Sequence, residues 1–217
     1  MKRVLLFILI GIVLFFIGCA QSNNTFKDDY NVKAILVPAE NSDIVTKTDW
    51  DKTVSTIDLR LKFCGVSNYN LVLNADQNQL ILEFAFKSSS QSLSDFFNII
   101  CQKGELEYRD ENNNILLDNN DIKKAEVFKN IGQYMISVDL NEQGAKKLAY
   151  ATQLSGQYIS VILDNNIIAV EKTFKPITTG KVGLYIENAN FDYLAAVASI
   201  INSGPLPHKL QAQITNK

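Results

Sequence analysis

The sequence has few of the side chains on which catalysis and metal binding usually depend. Its 217 residues contain one histidine, one tryptophan and three cysteines, and no two cysteines have the CxxC spacing. With His208 as its only imidazole, in a segment that we expect to be solvated, the chain lacks the ligands of a protein zinc site. Ser155-Gly156 lies outside a nucleophile-elbow context and has no histidine partner. We therefore expect no metal, no cofactor and no enzymatic activity.

Two further ligand-binding motifs are incomplete in this sequence. Gly180 and Gly183 do not follow a strand in the GxGxxG arrangement that holds a phosphate. Asp118 and Asp121, among several asparagines, resemble a calcium loop, but the spacing lacks the glycine and terminal glutamate of an EF-hand. We expect neither ligand.

The charge is nearly balanced, with 21 basic and 23 acidic residues. Removal of a leader with Lys2 and Arg3 would leave 19 basic residues, a net charge of −4. This balance argues against nucleic acid as a partner. The adjacent acid pairs Asp28-Asp29 and Asp110-Glu111 are expected to be solvated, because neighbouring strand residues point to opposite faces.

The amino terminus has the pattern of an export signal. Met1-Lys2-Arg3 is basic, Val4–Ile17 is almost wholly apolar, and Gly18-Cys19 follows. Phe16-Ile17-Gly18-Cys19 resembles a bacterial lipobox, with Phe16 where leucine is usual. The resemblance implies cleavage after residue 18, lipidation of Cys19 with fatty acids such as palmitate, and attachment to the outer side of the cell membrane. An uncleaved single-span anchor is the alternative.

The segment after Cys19 has no apolar pattern, so residues 19–30 are predicted to be a flexible tether. No later stretch is apolar enough to span a bilayer. Cys64 and Cys101 each fall on the apolar face of a predicted helix. They fit buried small hydrophobic residues, and a disulfide in an exported protein stays open.

Residues 31–118 follow the order strand, helix, strand, strand, helix, strand. The first helix has an apolar stripe from Trp50 to Cys64, and Thr48 or Asp49 is expected to cap it. Ser92 begins the second helix with a capping pattern. This order predicts a ferredoxin-like βαββαβ base, in which two helices cover one face of an antiparallel sheet.

Residues 119–207 partly repeat the pattern and predict a second βαββ(β)α subdomain, the head, of an α+β protein. A connector at 119–130 precedes a strand at 133–140 and a helix from Asn141. Strands at 158–163, 166–171 and 182–187 come next, then a helix at 190–203 that ends at Gly204. Residues 208–217 are expected to be a frayed tail.

Several segments resemble the SecD family, over roughly residues 30–210. In the second half these are Asp139–Leu148, Ile177-Thr178-Thr179-Gly180 and Ser203–Pro207. In the first half they are Thr56–Ser67, which includes Arg60, and Leu106–Arg109.

The resemblance implies the first extracytoplasmic domain of SecD, a translocase subunit that works with SecF beside the Sec channel. It implies a base carrying a mobile head that engages secreted preprotein. Two segments are hinge candidates: Asp118, Asn119, Asn120 and Asp121 on one side, and Gly204, Pro205, Leu206 and Pro207 on the other.

The chain departs from the family in two respects. It lacks the Asp-Leu-x-Gly-Gly segment near the first strand, and it has no intramembrane acid or arginine to carry protons. We therefore expect a lipid-anchored accessory of protein export that binds unfolded polypeptide, with Sec membrane subunits as partners, and not a proton-driven motor. The alternative is a surface lipoprotein that uses the same head as a small-ligand or protein-interaction module.

Overall fold

The structure is a computed structural model, and it describes residues 30–39, 45–86, 92–153 and 156–216. The leader, Cys19 and most of the tether lie outside the described residues. None of the helices within these ranges is both long and apolar enough to cross a membrane.

The described residues form eleven strands and four helices. The strands are β1 (Val32–Pro38), β2 (Tyr69–Asn74), β3 (Gln79–Phe84), β4 (Leu106–Arg109), β5 (Ile115–Asp118), β6 (Ile122–Asn130), β7 (Gln133–Leu140), β8 (Tyr158–Leu163), β9 (Asn166–Lys172), β10 (Lys181–Leu184) and β11 (Leu210–Asn216). The helices are α1 (Lys47–Phe63), α2 (Leu93–Cys101), α3 (Glu142–Ala151) and α4 (Phe191–Ser203). The α+β class is confirmed, with antiparallel sheets throughout.

The first sheet, the base sheet, has the strand order β11-β1-β3-β2. Alternation along β1 and β3 puts residues such as Ala34, Leu36, Leu80 and Leu82 on one face, where they are fully buried. They form one core with apolar residues of α1 and α2. The alternating pattern thus places both helices on one face of the sheet, as the sequence predicts.

The last strand of the base sheet comes from the far end of the chain. β11 pairs with β1 along its whole length, from Val32 opposite Asn216 to Pro38 opposite Leu210. The expectation of a frayed tail at 208–217 is therefore wrong for 210–216. Leu210 is buried against the base core, while Gln211 and Gln213 point to the opposite face of the sheet, away from α1 and α2.

The strand that the sequence predicts as the last one of the base, at residues 106–109, belongs to a different sheet. β4 pairs with β5 and β8 in a sheet of order β5-β4-β8-β9, because Leu106 and Tyr108 bury against Leu163 and Val161. A third sheet has the order β10-β7-β6. The segment expected as a connector at 119–130 contains a nine-residue strand, β6, paired with β7. The two sheets and α3 and α4 make up the head.

The helix starts follow local capping chemistry. Ser92, Asn141 and Asn190 are N-caps whose side chains accept backbone N–H groups, as expected. For α1 the cap is Thr46, two residues before Thr48 and three before Asp49, the two positions that the sequence predicts. Asp49 stands third in the helix and closes a capping box with Thr46.

Candidate functional site

The chain passes between base and head twice, and the two crossings touch. The first crossing, residues 102–105, follows α2. The return crossing, Gly204–Pro207, follows α4. The Leu206 N–H donates to the Lys103 carbonyl at 2.8 Å, and the Leu206 side chain is buried in the base core. We call residues 102–105 and 203–207, with Arg60, the junction.

Arg60 occupies the centre of the junction and is fully buried. It reaches from α1 to both crossings, because its planar guanidinium carries five N–H donors in a fixed fork. The acceptors are Ser203 Oγ (3.1 Å) and the carbonyl oxygens of Ile99 (3.4 Å), Ile100 (2.9 Å), Gln102, Lys103 (3.1 Å) and Gly204 (3.2 Å). One side chain therefore binds the ends of α2 and α4 and the segments that follow them.

The acceptors around Arg60 are dipoles at helix carboxyl ends, which favour a nearby cation. Burial lowers the pKa of Arg60 to about 10, and the negative charge of Asp164 opposes this shift. The side chain stays protonated at neutral pH. Gly104 has no room for a side chain, since a Cβ there would lie 2.7 Å from both Arg60 Nη2 and Ile200 Cγ2.

Asp164 fixes the head to the first crossing. It opens the turn between β8 and β9, where Asp164 and Asn165 have positive φ. Its carboxylate accepts the N–H of Gly104 (2.8 and 2.9 Å) and of Glu105 (2.7 Å), and its own N–H donates to the Glu105 carbonyl. Hydrogen bonds to a charged acceptor are stronger than neutral ones.

An open groove of about 710 Å³ lies beside the junction. One wall is α2, with Phe97 and Cys101, and the other is the edge strand β11, with Ala212 and Ile214. The β8–β9 turn of the head closes one end. Lys103 and Glu105 pair at 2.7 Å among the residues that line it. The groove therefore combines apolar side chains with the backbone of a strand.

β11 lacks the features that usually protect a sheet edge. Its partner within the described residues is β1, and from Leu210 to Asn216 it has no charge, proline or register shift. Edge strands of the head differ: β5, β6 and β9 have register shifts in their pairing, and β10 begins with Lys181. β2, at the other edge of the base sheet, is also uncharged and regular, but it does not line the groove.

The two predicted hinges lie at different places. Gly204–Pro207 is the return crossing. Asp118–Asp121 links β5 to β6 and so connects the two head sheets. It is a single 3₁₀ turn in which Asp118 and Asp121 form a capping box, and the buried Asp121 carboxylate binds Lys147 Nζ at 2.9 Å. Asn119 reaches the first crossing by bonding the Leu106 N–H and the Gly104 carbonyl.

The remaining candidate groups take no part in a shared site. His208, expected in a mobile tail, is half-buried, with Nε2 3.9 Å from Asp49 Oδ2. Cys64 and Cys101 are free thiols, and burial raises the pKa of Cys101 to about 12. Within the described ranges no three His, Cys, Asp or Glu side chains gather in a way that could hold a metal ion.

Sequence reasoning did not identify Arg60 as a buried residue, although the signal was present. Arg60 follows Ile57 by three positions and precedes Cys64 by four, which places it on the apolar stripe of α1. A charge on such a stripe indicates a buried partner.

Comparison with known proteins finds similarity to the protein translocase subunit SecD. SecD of Dictyoglomus turgidum is 27% identical over 158 residues, which are 72% of this chain and 38% of that protein. SecD of Acidaminococcus fermentans is 24% identical over 164 residues, 74% of this chain and 38% of that protein. This chain thus spans about two-fifths of the length of these relatives. No family model matches it.

Solved structures agree on the fold. SecDF in its super-membrane-facing form superposes with a TM-score of 0.72 at 19% identity, over 86% of this chain and 30% of that one. A structure of SecDF described as a membrane component that enhances protein export gives a TM-score of 0.65 at 19% identity, over 83% of this chain and 97% of that one. The chain is therefore homologous to SecD over about 74% of its length, and its fold is that of part of SecDF.

Proposed function

We propose that this protein assists Sec-dependent protein export by binding extended, unfolded polypeptide along the free edge of β11. The observation that carries the proposal is the groove between this edge and α2, which the head closes at one end. An incoming strand would pair with the β11 backbone, and alternate side chains would point towards α2. Backbone pairing is independent of sequence, which suits a protein whose substrates are diverse unfolded chains.

The composition of the groove favours a peptide over a small ligand. Sites for small molecules are enclosed, mainly apolar cavities with a few convergent polar groups. Here the groove is open and its polar groups pair with one another, as with Lys103 and Glu105. The alternative, a small-ligand lipoprotein that uses the same head, is therefore the weaker proposal.

Membrane attachment belongs to the same proposal. Cys19 is the lipidation site, and acyl chains on it would hold the protein on the outer face of the membrane, near the Sec exit. Labelled palmitate should enter the wild-type protein and fail to enter Cys19→Ala. Equal labelling of the wild type and Cys19→Ala would show that Cys19 is not lipidated.

The binding test uses a permanently unfolded polypeptide, prepared by alkylating a reduced protein, and the full chain. Ile214 is 38% exposed and is part of the groove lining. Ile214→Lys adds an edge-blocking charge to β11 and should weaken binding at least tenfold. Val72→Lys is the matched control, since Val72 is similarly exposed on β2 at the other edge of the same sheet and should bind as the wild type does.

The same two positions, Ile214 and Val72, also allow a crosslinking test in cells. A photo-crosslinking residue at Ile214 should trap a stalled secretory precursor, while one at Val72 should not. Crosslinks from both positions or from neither, together with unchanged binding by Ile214→Lys, would overturn the assignment of β11 as the binding edge.

The hinge segments are the part of the proposal that concerns motion. If head movement releases bound polypeptide, it takes place at the crossings, and Gly204–Pro207 is the better candidate because it joins base to head. A disulfide that joins the two crossings, introduced through a pair of cysteines, should slow release in the oxidised form. Identical release in both redox states would exclude movement there.

A further inference from the structure

The turn between β6 and β7 has an isoleucine in a backbone conformation that is unusual for this residue type. Ile131 and Gly132 both have positive φ, 44° and 85°, which is the geometry of a two-residue type I′ hairpin turn. Among the described residues, every other non-glycine position with positive φ is an asparagine or aspartate. A β-branched residue is strained in this conformation.

Ile131 gains no packing in return, since its side chain is 97% exposed. Asn-Gly would form the same turn without the strain and without the exposed apolar group. Two unfavourable properties therefore coincide at one residue, and local rules are broken in this way mainly at functional sites.

The residues around Ile131 are aromatic and basic. Phe128 and Tyr134 are partly exposed. Phe128 is paired with Met135, and Tyr134 is paired with Lys129. Because successive strand residues point to opposite faces, the two rings lie on opposite faces of the hairpin. Phe191, at the start of α4, packs edge-on against Tyr134 with ring centroids 5.3 Å apart. Lys129 Nζ lies 5.5 Å from the Tyr134 ring centroid. These residues, Phe128, Lys129, Ile131, Tyr134 and Phe191, form the tip surface.

The tip surface is remote from the junction. β6 starts directly after Asp121, next to Asn119, which contacts the first crossing. Nine strand residues then extend about 30 Å to Ile131. The tip surface is therefore separate from the groove, and a polypeptide bound in the groove would not cover it.

We propose that the tip surface inserts into the interface of a lipid bilayer. The apex is convex and apolar, so a rigid partner would need a matching pocket, whereas a bilayer deforms around it. Aromatic residues and lysine behind an apolar apex are the composition favoured at membrane interfaces. Residues 128–135 include Lys129 and no carboxylate. This inference rests on the membrane location in the proposed function.

The length of the tether makes a bilayer continuously available. Ten residues separate Cys19, the proposed lipidation site, from Tyr30, the first described residue. Fully extended, this segment reaches at most about 40 Å. A surface held at this distance is present at high effective concentration, so one apolar residue and its aromatic neighbours suffice for contact.

The test places a fluorescent reporter at the apex of the full chain. Ile131→Trp is reconstituted in vesicles of phosphatidylglycerol and brominated phosphatidylcholine, which quenches tryptophan in the acyl region. The single natural tryptophan, Trp50, is buried in the base and gives the background. Ile131→Trp emission should be quenched and shifted to shorter wavelength. Ile167→Trp is the matched control, an exposed isoleucine near the β8–β9 turn beside the junction, and should stay unquenched.

A second variant separates function from folding. Ile131→Asn relieves the strained turn, so its midpoint of thermal unfolding should rise, while lipid quenching of a Phe128→Trp reporter should fall to background. The proposal is overturned if Ile131→Trp is not quenched, if Ile167→Trp is quenched equally, or if Ile131→Asn lowers stability. Shielding of Ile131→Trp by unfolded polypeptide instead of lipid would also overturn it and would assign the tip to the substrate.

Discussion

Replacement of Arg60 by methionine tests whether one side chain couples base and head. Methionine fills a similar space without charge or donors. Two of the carbonyl groups that Arg60 binds, those of Ile100 and Gln102, have no other donor among the described residues. Each buried acceptor left unpaired costs about 1–3 kcal/mol.

Part of this cost is recovered because the variant no longer buries a charge. The pKa of Arg60 falls from 12.5 to about 10 through burial, which corresponds to roughly 3 kcal/mol at 1.36 kcal/mol per pKa unit. The two unpaired acceptors together cost about 2–6 kcal/mol, so the net loss of stability should be at most about 3 kcal/mol, and separation of the two unfolding transitions is the deciding result. Arg60→Lys should not restore the wild-type value, because it retains the buried charge but offers three donors from one atom in place of the fork.

The assay is urea unfolding followed by two signals. Fluorescence of Trp50 reports the base, while far-ultraviolet circular dichroism reports base and head together. The two transitions should coincide in the wild type and separate in Arg60→Met. Arg109→Met is the matched control, since Arg109 forms a partly exposed pair with Glu107 and should cost less than about 1 kcal/mol. If Arg60→Met is as stable as this control and its transitions coincide, the role assigned to Arg60 is refuted.

Three further outcomes follow from the described contacts. Asp164→Asn should lower the free energy of unfolding by about 1–3 kcal/mol in urea titrations, because it replaces charge-assisted hydrogen bonds to two backbone N–H groups; no change would mean that this turn does not hold the head to the first crossing. Burial raises the pKa of Glu171 above 4.5, opposed by a hydrogen bond from the Tyr185 N–H, so the ionised form is disfavoured in the folded state at neutral pH. Glu171→Gln should therefore stabilise the protein slightly at pH 7, and the gain should vanish as the pH falls below 4.5; a gain that persists there would contradict this reading. Cys101, whose pKa burial raises to about 12, should resist iodoacetamide at pH 8 until the protein unfolds, as measured by mass spectrometry, and rapid native labelling would exclude its buried position.

Local signals in the sequence predicted local structure well. The caps at Ser92, Asn141 and Asn190 depend on one side chain and the next few backbone N–H groups, so a short window contains all the information. The strand predicted at 133–140 and the apolar stripe of α1 depend on equally short windows. Such features do not depend on which distant segment a residue meets.

The predictions that failed concern distant partners. β11 has a period-two pattern, in which Leu210, Ala212 and Ile214 alternate with glutamine and threonine, but its partner β1 lies at the other end of the chain. β4 has a clear strand pattern, yet nothing local indicates that it joins β8 and leaves the base sheet without it. The groove and the junction depend on both of these pairings, so the candidate site could not be predicted from the sequence.

The position of β11 also fixes the order in which the domain can be completed. The head sheets draw their strands from residues 106–184, whereas the base needs residues 210–216 beside a strand that begins at Val32. When the chain emerges amino terminus first, the head sheets can therefore be complete before the base sheet is. Until the last strand arrives, β1 has one neighbour and its other edge is open to any extended segment nearby. Maturation of this protein is therefore exposed, for a time, to the same kind of unfolded chain that it is proposed to bind.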